Sequence, residues 1–169
     1  MKPIIELRPI GVIHSPFREP QGTPIQPVVA GGAAGSITLF EEYAEGLKDL
    51  DGFERIWLVY CFDRAPEARL LVTPFLDTVA RGIFATRSPA RPNRIGISCV
   101  RLTSVEGNTL HVADIDVVDG TPLLDIKPYV PRFDCFEESR AGWFDETRLE
   151  RRVADERFVQ PAAAAPKAG

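Results

Sequence analysis

Three arginines stand close together in the stretch GIFATRSPARPNRIGIS, residues 82–98: Arg87, Arg91 and Arg94. A guanidinium binds a carboxylate or a phosphate through two parallel hydrogen bonds, so this grouping is suited to an anionic ligand. The stretch also holds two prolines, which restrict the loop and lower the entropy cost of docking a ligand there. Packing explains the apolar flanks of the stretch, and ligand binding is the chemistry that its centre predicts.

Charge is distributed unevenly on either side of this loop. Residues 78–105 carry five arginines and no acidic side chain, whereas residues 106–138 carry eight acids against one lysine and one arginine. The net charge of −4 argues against a protein that coats nucleic acid through bulk positive charge. We therefore expect a local anion-facing loop beside an acidic segment.

Other classes of site have little support in the sequence. The histidines His14 and His111 and the three cysteines lack metal-ligand spacing, so no metal site is expected, and free thiols in a reducing cytoplasm are the simplest interpretation. His14 and Ser15 lack a third partner, which argues against a hydrolase. No apolar run reaches the roughly 18 residues of a membrane span, and no signal peptide precedes the first predicted strand.

Short strands are the elements that must position these residues. Strand-like runs separated by turn residues, without βαβ alternation, predict an antiparallel β barrel or sandwich over residues 1–145. The glycines at 31–35 open a strand rather than a helix, which excludes a dinucleotide fingerprint. Helical spacing predicts short helices, including a C-terminal one at 146–158, and the low-complexity tail at 159–169 is expected to be flexible. The predicted strands cover residues 8–14, 35–40, 54–62, 69–75, 82–87, 97–118 (as a hairpin) and 121–130, with a further helix at 40–53.

The clearest hairpin turns at Gly107 and Asn108. A two-residue loop there sets Arg101 opposite Asp114 and Cys99 opposite Asp116, with the two aspartates on one face about 7 Å apart. An exposed Arg101–Asp114 ion pair, worth less than about 1 kcal/mol, accounts for Asp114 as well as a functional role does. Asp116 lacks such a partner in this register, which makes it the better candidate for a ligand contact.

Four motifs in this chain resemble, in order, those of the TrmO family, also called TsaA-like or YaeB-like. They are IGVIHSPF (10–17), GFERIWLVYCF (52–62), the arginine stretch (82–98) and VVDGTPLLDIKPYVP (117–131). The resemblance implies a single small β barrel that uses S-adenosylmethionine in the cytoplasm to methylate the N6 nitrogen of threonylcarbamoyladenosine next to the tRNA anticodon. It also implies a homodimer, which an unpaired barrel edge would favour as well.

The resemblance also implies which residues bind the cofactor. Arg87 suits the methionine carboxylate, unless a neighbouring acid pairs with it. Asp63 could accept hydrogen bonds from the ribose or the amino group, or simply begin a turn. Core packing alone would explain Ile97 and Ile115. The expected cofactor-binding residues are Gln26, Pro27, Asp63, Arg64, Arg87, Ile97, Ile115 and Asp116.

Two further groups are candidates for contacts with the methyl acceptor. Arg91, Asn93 and Arg94 fit recognition of an anionic or nucleotide substrate, with phosphate contacts from arginine and base contacts from asparagine, or a dimer contact. Three alternating residues on one strand share a face and could assist proton removal from the nitrogen nucleophile. These are Asp125, Lys127 and Tyr129, for which an internal Asp125–Lys127 ion pair beside the phenol is an equally good explanation.

The chain departs from the larger bacterial members of the family in two respects. Their Pro-Arg-Gln-Pro stretch reads Pro-Ile-Gln-Pro here, at residues 24–27, and their additional C-terminal domain has no counterpart in this sequence. Both departures leave cofactor binding intact and concern the tRNA substrate. Two alternatives therefore stand beside tRNA methylation: a module that senses S-adenosylmethionine, and a methyltransferase for a small molecule or another RNA.

Overall fold

The computed structural model describes residues 3–147 and 153–158. Eight strands and one single-turn helix, α1 (Pro131–Asp134), account for most of its regular structure, together with several short 3₁₀ turns. The strands are β1 (Gly11–His14), β2 (Gly35–Leu39), β3 (Arg55–Cys61), β4 (Leu71–Val72), β5 (Arg81–Gly82), β6 (Ile95–Glu106), β7 (Thr109–Ala113) and β8 (Thr121–Pro128).

Six of the strands form a closed barrel in the order β1-β2-β7-β6-β3-β8, with β8 paired back onto β1. All of the pairings are antiparallel, and β4 and β5 form a separate two-stranded sheet. The predicted single antiparallel barrel is confirmed. The unpaired barrel edge expected from the sequence is wrong, because pairing of β8 with β1 satisfies the last edge.

Alternate residues of each barrel strand point into the core. Along β3, Ile56, Leu58 and Tyr60 are buried while their neighbours are partly exposed. The outer face of β3 is therefore only partly covered, since the barrel encloses its inner face alone. Burial of these apolar side chains is the main source of barrel stability. The core also contains Ile13, Ile37, Val100, Leu110, Val112, Ile115 and Leu123.

The β6–β7 hairpin confirms the predicted turn but not the predicted register beyond it. Glu106 pairs with Thr109, as expected, but the register shifts between Leu102 and Ser104. This bulge sets Arg101 opposite Ala113, so the predicted pairings of Arg101 with Asp114 and of Cys99 with Asp116 are wrong. Strand β7 ends at Ala113, because the next residue adopts a left-handed φ of 66°.

The segments predicted as helices, at 40–53 and 146–158, are 3₁₀ turns or irregular where the structure describes them. Residues 40–53 form turns at Glu41–Leu47 and Leu50–Gly52, separated at Asp49, whose φ of 65° interrupts a continuous helix. Near the C-terminus, turns cover Gly142–Glu146 and Glu156–Phe158, and Val153 pairs with Pro24.

The predicted C-terminal helix at 146–158 is therefore not found at 153–158, where the chain instead packs against the loops beside the barrel. Residues 148–152 of that prediction, and the predicted flexible tail at 159–169, lie outside the described residues. The predicted strand at 82–87 is also shorter than expected, because Ile83–Ala85 forms a 3₁₀ turn.

Three further features of the described residues concern the cysteines, metal ligands and membrane-spanning helices. Cys61, Cys99 and Cys135 are free thiols. Within residues 3–147 and 153–158, no group of three or more candidate ligands is arranged to hold a metal ion. No helix in the same part of the chain combines the length and apolar character needed to cross a membrane.

Candidate ligand-binding site

A cavity of about 600 Å³ opens at the end of the barrel where β3 ends and β6 and β8 begin. Its volume lies within the range of about 300–1,000 Å³ that is usual for small-molecule sites. Tyr60, Phe62, Gly96 and Thr121 line it from the barrel, and Asp116 lines it from the segment between β7 and β8. Loops beside the barrel complete the wall, so several distant parts of the sequence meet here.

Two of these loops are joined by a hydrogen bond between predicted site residues. The guanidinium of Arg87 donates to the side-chain oxygen of Gln26, and both residues line the cavity. This neutral amide partner leaves the positive charge of Arg87 uncompensated by the bond. The guanidinium therefore remains suited to an anionic group of a ligand.

A hydrogen-bonded chain of three side chains runs from the core to the cavity. Ser98 Oγ donates to Asp116 Oδ1 at 2.6 Å, and Tyr60 Oη lies 3.0 Å from the same Ser98 oxygen. The Ser98 hydroxyl has only one proton, so Tyr60 donates to Ser98 when Asp116 is ionised. Tyr60 and Ser98 are almost completely buried, at 4% and 2% exposure.

Desolvation controls the ionisation of this chain. Burial raises the pKa of Asp116 from 3.8 to about 7, against the opposing effects of the Ser98 hydrogen bond and the Arg87 charge. Burial, reinforced by the charge of Asp116, also raises the pKa of Tyr60, which stays protonated. Asp116 can thus accept a hydrogen bond or exchange a proton near neutral pH, as functional carboxyl groups do.

Gly96 makes room for the Tyr60 side chain of this hydrogen-bonded group. A Cβ atom on Gly96 would lie 2.2 Å from Cε2 of Tyr60 and 2.9 Å from Cζ of Phe62. The Tyr60 and Phe62 rings pack edge to face, with centroids 5.2 Å apart. Any side chain at position 96 would displace the tyrosine that holds Ser98.

Arg64 ties together the loops on another side of the cavity. Its guanidinium donates to the backbone oxygens of Arg18 and Asp119, at 3.2 and 2.9 Å. The Asp119 carboxylate in turn accepts from Arg18 and from the backbone N–H of Ser15. Asp63, next to Arg64, is exposed and lines the cavity.

Comparison with known proteins supports the assignment that the motifs imply. Residues 12–135 match the family model of the tRNA-methyltransferase O (TrmO) N-terminal domain. The chain belongs to the TrmO family. Its barrel also resembles the crystal structure of TrmO from Pseudomonas aeruginosa, with a TM-score of 0.72, 38% identity and coverage of 86% of this chain and 63% of that one.

The names of the relatives differ in how specific a function they state. A Pyrococcus abyssi protein named "Probable S-adenosyl-L-methionine-binding protein" is 52% identical over 153 residues, covering 89% of this chain and 83% of its own. The tRNA (adenine(37)-N6)-methyltransferase of Escherichia coli is 38% identical over 144 residues, covering 79% of this chain and 61% of its own. The chain therefore spans less than two thirds of the length of the E. coli protein.

Six of the eight cofactor-binding residues implied by the TrmO resemblance line the cavity, and two do not. Pro27 begins a 3₁₀ turn next to the cavity-lining Gln26. Ile115 is fully buried in the barrel core, which agrees with the packing role considered for it. The six residues brought together are Gln26, Asp63, Arg64, Arg87, Ile97 and Asp116.

Of the three residues expected to contact the substrate, only Arg91 lines the cavity. Its guanidinium donates to the backbone oxygens of Thr86 at 2.8 Å and Ile83 at 3.3 Å, which holds the arginine loop in shape. Asn93 is exposed and Arg94 is partly buried, and both lie outside the cavity lining. Substrate contact by these two residues stays a prediction.

The residues expected to assist proton removal lie outside the cavity lining as well. Lys127 Nζ is 2.9 Å from Asp125 Oδ2, and Tyr129 packs edge to face on Trp57 with ring centroids 5.8 Å apart. The hydrogen bond to Asp125 raises the pKa of Lys127, and desolvation raises that of Tyr129. Both groups are thus poor bases near pH 7, which favours the ion-pair explanation, and the catalytic role stays a prediction.

Sequence reasoning missed several residues of this TrmO-family site. Ser98 could have been found, because strand alternation with Val100 directs its hydroxyl into the barrel, where a buried hydroxyl needs a partner. Tyr60 follows from the same alternation in β3. No sequence signal pointed to the aromatic residues of the C-terminal segment that also line the cavity, Trp143, Phe144 and Phe158.

Proposed function

We propose that this protein binds S-adenosylmethionine in the cavity and methylates the N6 nitrogen of threonylcarbamoyladenosine next to the tRNA anticodon. The observation that carries the proposal is the convergence of six predicted cofactor residues, from widely separated parts of the chain, on one cavity. Membership of the TrmO family and the name of the E. coli relative support the same reaction.

The chemistry of the cavity fits this cofactor. Arg87 would hold the methionine carboxylate, since it is a guanidinium hydrogen-bonded to a neutral amide. Asp116 would accept from an amino or hydroxyl group, because Ser98 occupies only one of its oxygens. S-adenosylmethionine supplies an activated methyl group when bound, so the protein contributes mainly position and electrostatics.

The charge of the loop favours an RNA acceptor. The arginine loop carries Arg87, Arg91 and Arg94 without an acid between residues 78 and 105. An RNA backbone is an anion that such a loop attracts. The net charge of −4 limits this attraction to the loop, so a single structured RNA site fits better than general RNA coating.

A module that binds S-adenosylmethionine without transferring methyl is the second candidate. It is favoured by the names of the relatives from Pyrococcus abyssi and Archaeoglobus fulgidus, which specify binding of S-adenosyl-L-methionine and no reaction. It is also favoured by the fact that Asp125, Lys127 and Tyr129 do not line the cavity. The two candidates share the cofactor and differ in catalysis.

Calorimetric titration with S-adenosylmethionine tests the shared part of the proposal. We expect wild-type protein to bind, R87A to bind about 10- to 100-fold more weakly through loss of a charge-assisted contact, and R87K to recover part of the loss. R101A is the matched control, since Arg101 is exposed on β6 and does not line the cavity. Absence of binding by the wild type would refute both candidates.

Methyl transfer separates the candidates. The same protein is assayed with unmodified tRNA and with threonylcarbamoylated tRNA, using a labelled methyl group. Transfer to the modified tRNA alone supports the proposed reaction. Binding of the cofactor without transfer to either RNA supports the binding module instead.

A homodimer and a cytoplasmic location belong to the proposal through the family resemblance. The free cysteines agree with a reducing compartment. Sedimentation equilibrium over a range of protein concentrations tests the dimer, and a single species with the mass of one chain would refute it.

A further inference from the structure

The cavity has a wall that lies beyond the family-matched region. That region ends at residue 135, yet residues from 141–147 and from 153–158 also line the cavity. It adds five residues besides Phe158: Ala141, Trp143, Phe144, Ala154 and Asp155. The C-terminal segment is therefore part of the site rather than an appendage to the barrel.

Backbone and side-chain contacts fix this segment to the loops of the cavity. The backbone of Ala154 donates to Thr23 O at 2.8 Å and accepts from Gly22 N at 2.9 Å. Arg157 donates to Pro74 O at 2.6 Å. Phe158, at 8% exposure, packs in a second apolar cluster with Val72, Ile83 and Ala90.

Two adjacent aromatic residues form an ordered surface within this wall. The rings of Trp143 and Phe144 stack with centroids 3.8 Å apart and an interplanar angle of 27°. The indole N–H of Trp143 donates to Ala85 O at 2.8 Å, two residues before Arg87. The Arg81 guanidinium lies 5.6 Å from the centroid of the indole ring.

The pair is held in place but not enclosed. Phe144 remains 39% exposed although it lines the cavity, so part of its ring is open to a ligand. Arg81, which is also paired with Asp77, lies beside the indole ring, and Arg87 follows in the loop to which Trp143 is bonded. A planar ring beside guanidinium groups is the arrangement that proteins use to bind unpaired nucleobases, by stacking on the ring and neutralising the phosphates.

We propose that Trp143 and Phe144 form the stacking surface for an unpaired nucleobase of the RNA acceptor. This inference rests on the proposed function, since it assigns the acceptor side of the same cavity. The cofactor contacts come from the barrel and from residues 26, 63–64 and 87, whereas the aromatic pair comes from the C-terminal segment. Stacking tolerates any base, so selectivity among bases arises elsewhere in the site.

Fluorescence of Trp143 gives a direct test that needs no methyl transfer. The chain has two tryptophans, and W57F leaves Trp143 as the only one. In that background we measure quenching by a synthetic RNA hairpin with adenosine in its loop, in the presence of S-adenosylmethionine. We expect saturable quenching, about tenfold weaker RNA affinity in F144L, and near wild-type affinity in F144W, which keeps a planar ring.

Cofactor affinity of the same variants, measured by calorimetry, completes the test. F144L should leave it unchanged, and F136L is the matched control, since Phe136 is 75% exposed and outside the cavity lining. Equal loss of cofactor and RNA affinity in F144L would overturn the proposal, and so would an unchanged RNA affinity or a loss in F144W. Failure of the wild type to bind cofactor would instead refute the proposed function.

Discussion

Ser98 donates a 2.6 Å hydrogen bond to Asp116, from the inner face of β6 to a carboxylate at the cavity. A donor of this kind stabilises the ionised form of its acceptor and so lowers the acceptor's pKa. Without this hydrogen bond, burial would raise the pKa of Asp116 further. The bond therefore couples a core residue to the charge presented to a ligand.

S98A should raise the pKa of Asp116 further above about 7, because the variant loses the hydrogen bond that opposes desolvation. If the ionised carboxyl binds the ligand, wild-type affinity for S-adenosylmethionine rises with pH through neutrality, and S98A requires a higher pH for the same affinity. Calorimetry from pH 5 to 9 measures both curves. S104A, a serine on the same strand outside the cavity lining, should follow the wild-type curve, and coincident curves for S98A would contradict the coupling.

D116N should change how stability depends on pH. The pKa of Asp116 is about 7 in the folded protein and 3.8 ordinarily, so the folded state binds the proton more tightly than the unfolded state. Its contribution to stability is complete below about pH 4 and is lost as the pH rises through about 7, by about 1.4 kcal/mol for each pKa unit of difference. Asparagine does not titrate and can still accept from Ser98.

Urea unfolding at several pH values between 4 and 8 measures this effect. We expect the free energy of unfolding of D116N to increase relative to wild type as the pH rises. D125N, at a half-exposed position in an ion pair, is the control and should show no comparable trend. A constant difference between D116N and wild type would mean that Asp116 is not desolvated.

G96A should destabilise the barrel and distort the site together. The added methyl group would overlap the Tyr60 ring and approach Phe62, and overpacking of this kind costs about 1–3 kcal/mol. Thermal unfolding measures the loss, and displacement of Tyr60 should also weaken ligand binding. G46A is the matched control, since a Cβ there meets no atom within 4 Å. Equal melting temperatures for the two variants would show that the close packing at Gly96 is absent.

D125N and K127A should leave cofactor affinity unchanged and have little effect on stability, because solvent screens an exposed ion pair. Because neither residue lines the cavity, we also expect the rate of methyl transfer to change by less than about threefold. Loss of a general acid or base would lower the rate by about 10²-fold or more. Single-turnover rates with the modified tRNA measure this. A loss of 100-fold in either variant would restore the proton-removal role predicted from the sequence.

Local signals predicted the parts of the fold that depend on neighbouring residues. The turn at Gly107 and Asn108 and the pairing of Glu106 with Thr109 follow from turn chemistry alone. The shift beyond Leu102 does not, because a bulge depends on how the strand bends around the barrel. Closure of β8 onto β1 likewise depends on the whole sheet, so the sequence favoured a free edge.

The sequence predicted residues of the candidate site that lie in or beside the family motifs, and it missed residues outside them. Arg87 and Asp116 lie in or beside those motifs, and both line the cavity. Trp143 and Phe144 lie outside them, and only the folded chain brings them to the same wall. Within the predicted helix at 146–158, residues 153–158 do not form an α-helix, because burial of Phe158 and pairing of Val153 with Pro24 outweigh helix propensity there.

The contact between Ala154 and residues 22–23 uses only main-chain atoms. Every amino acid except proline carries the donor and acceptor that this contact needs. Replacement of side chains near position 154 would thus erase sequence similarity there while the attachment persists. The same main-chain attachment is open to a segment with other side chains, and comparison of structures would detect it where comparison of sequences fails.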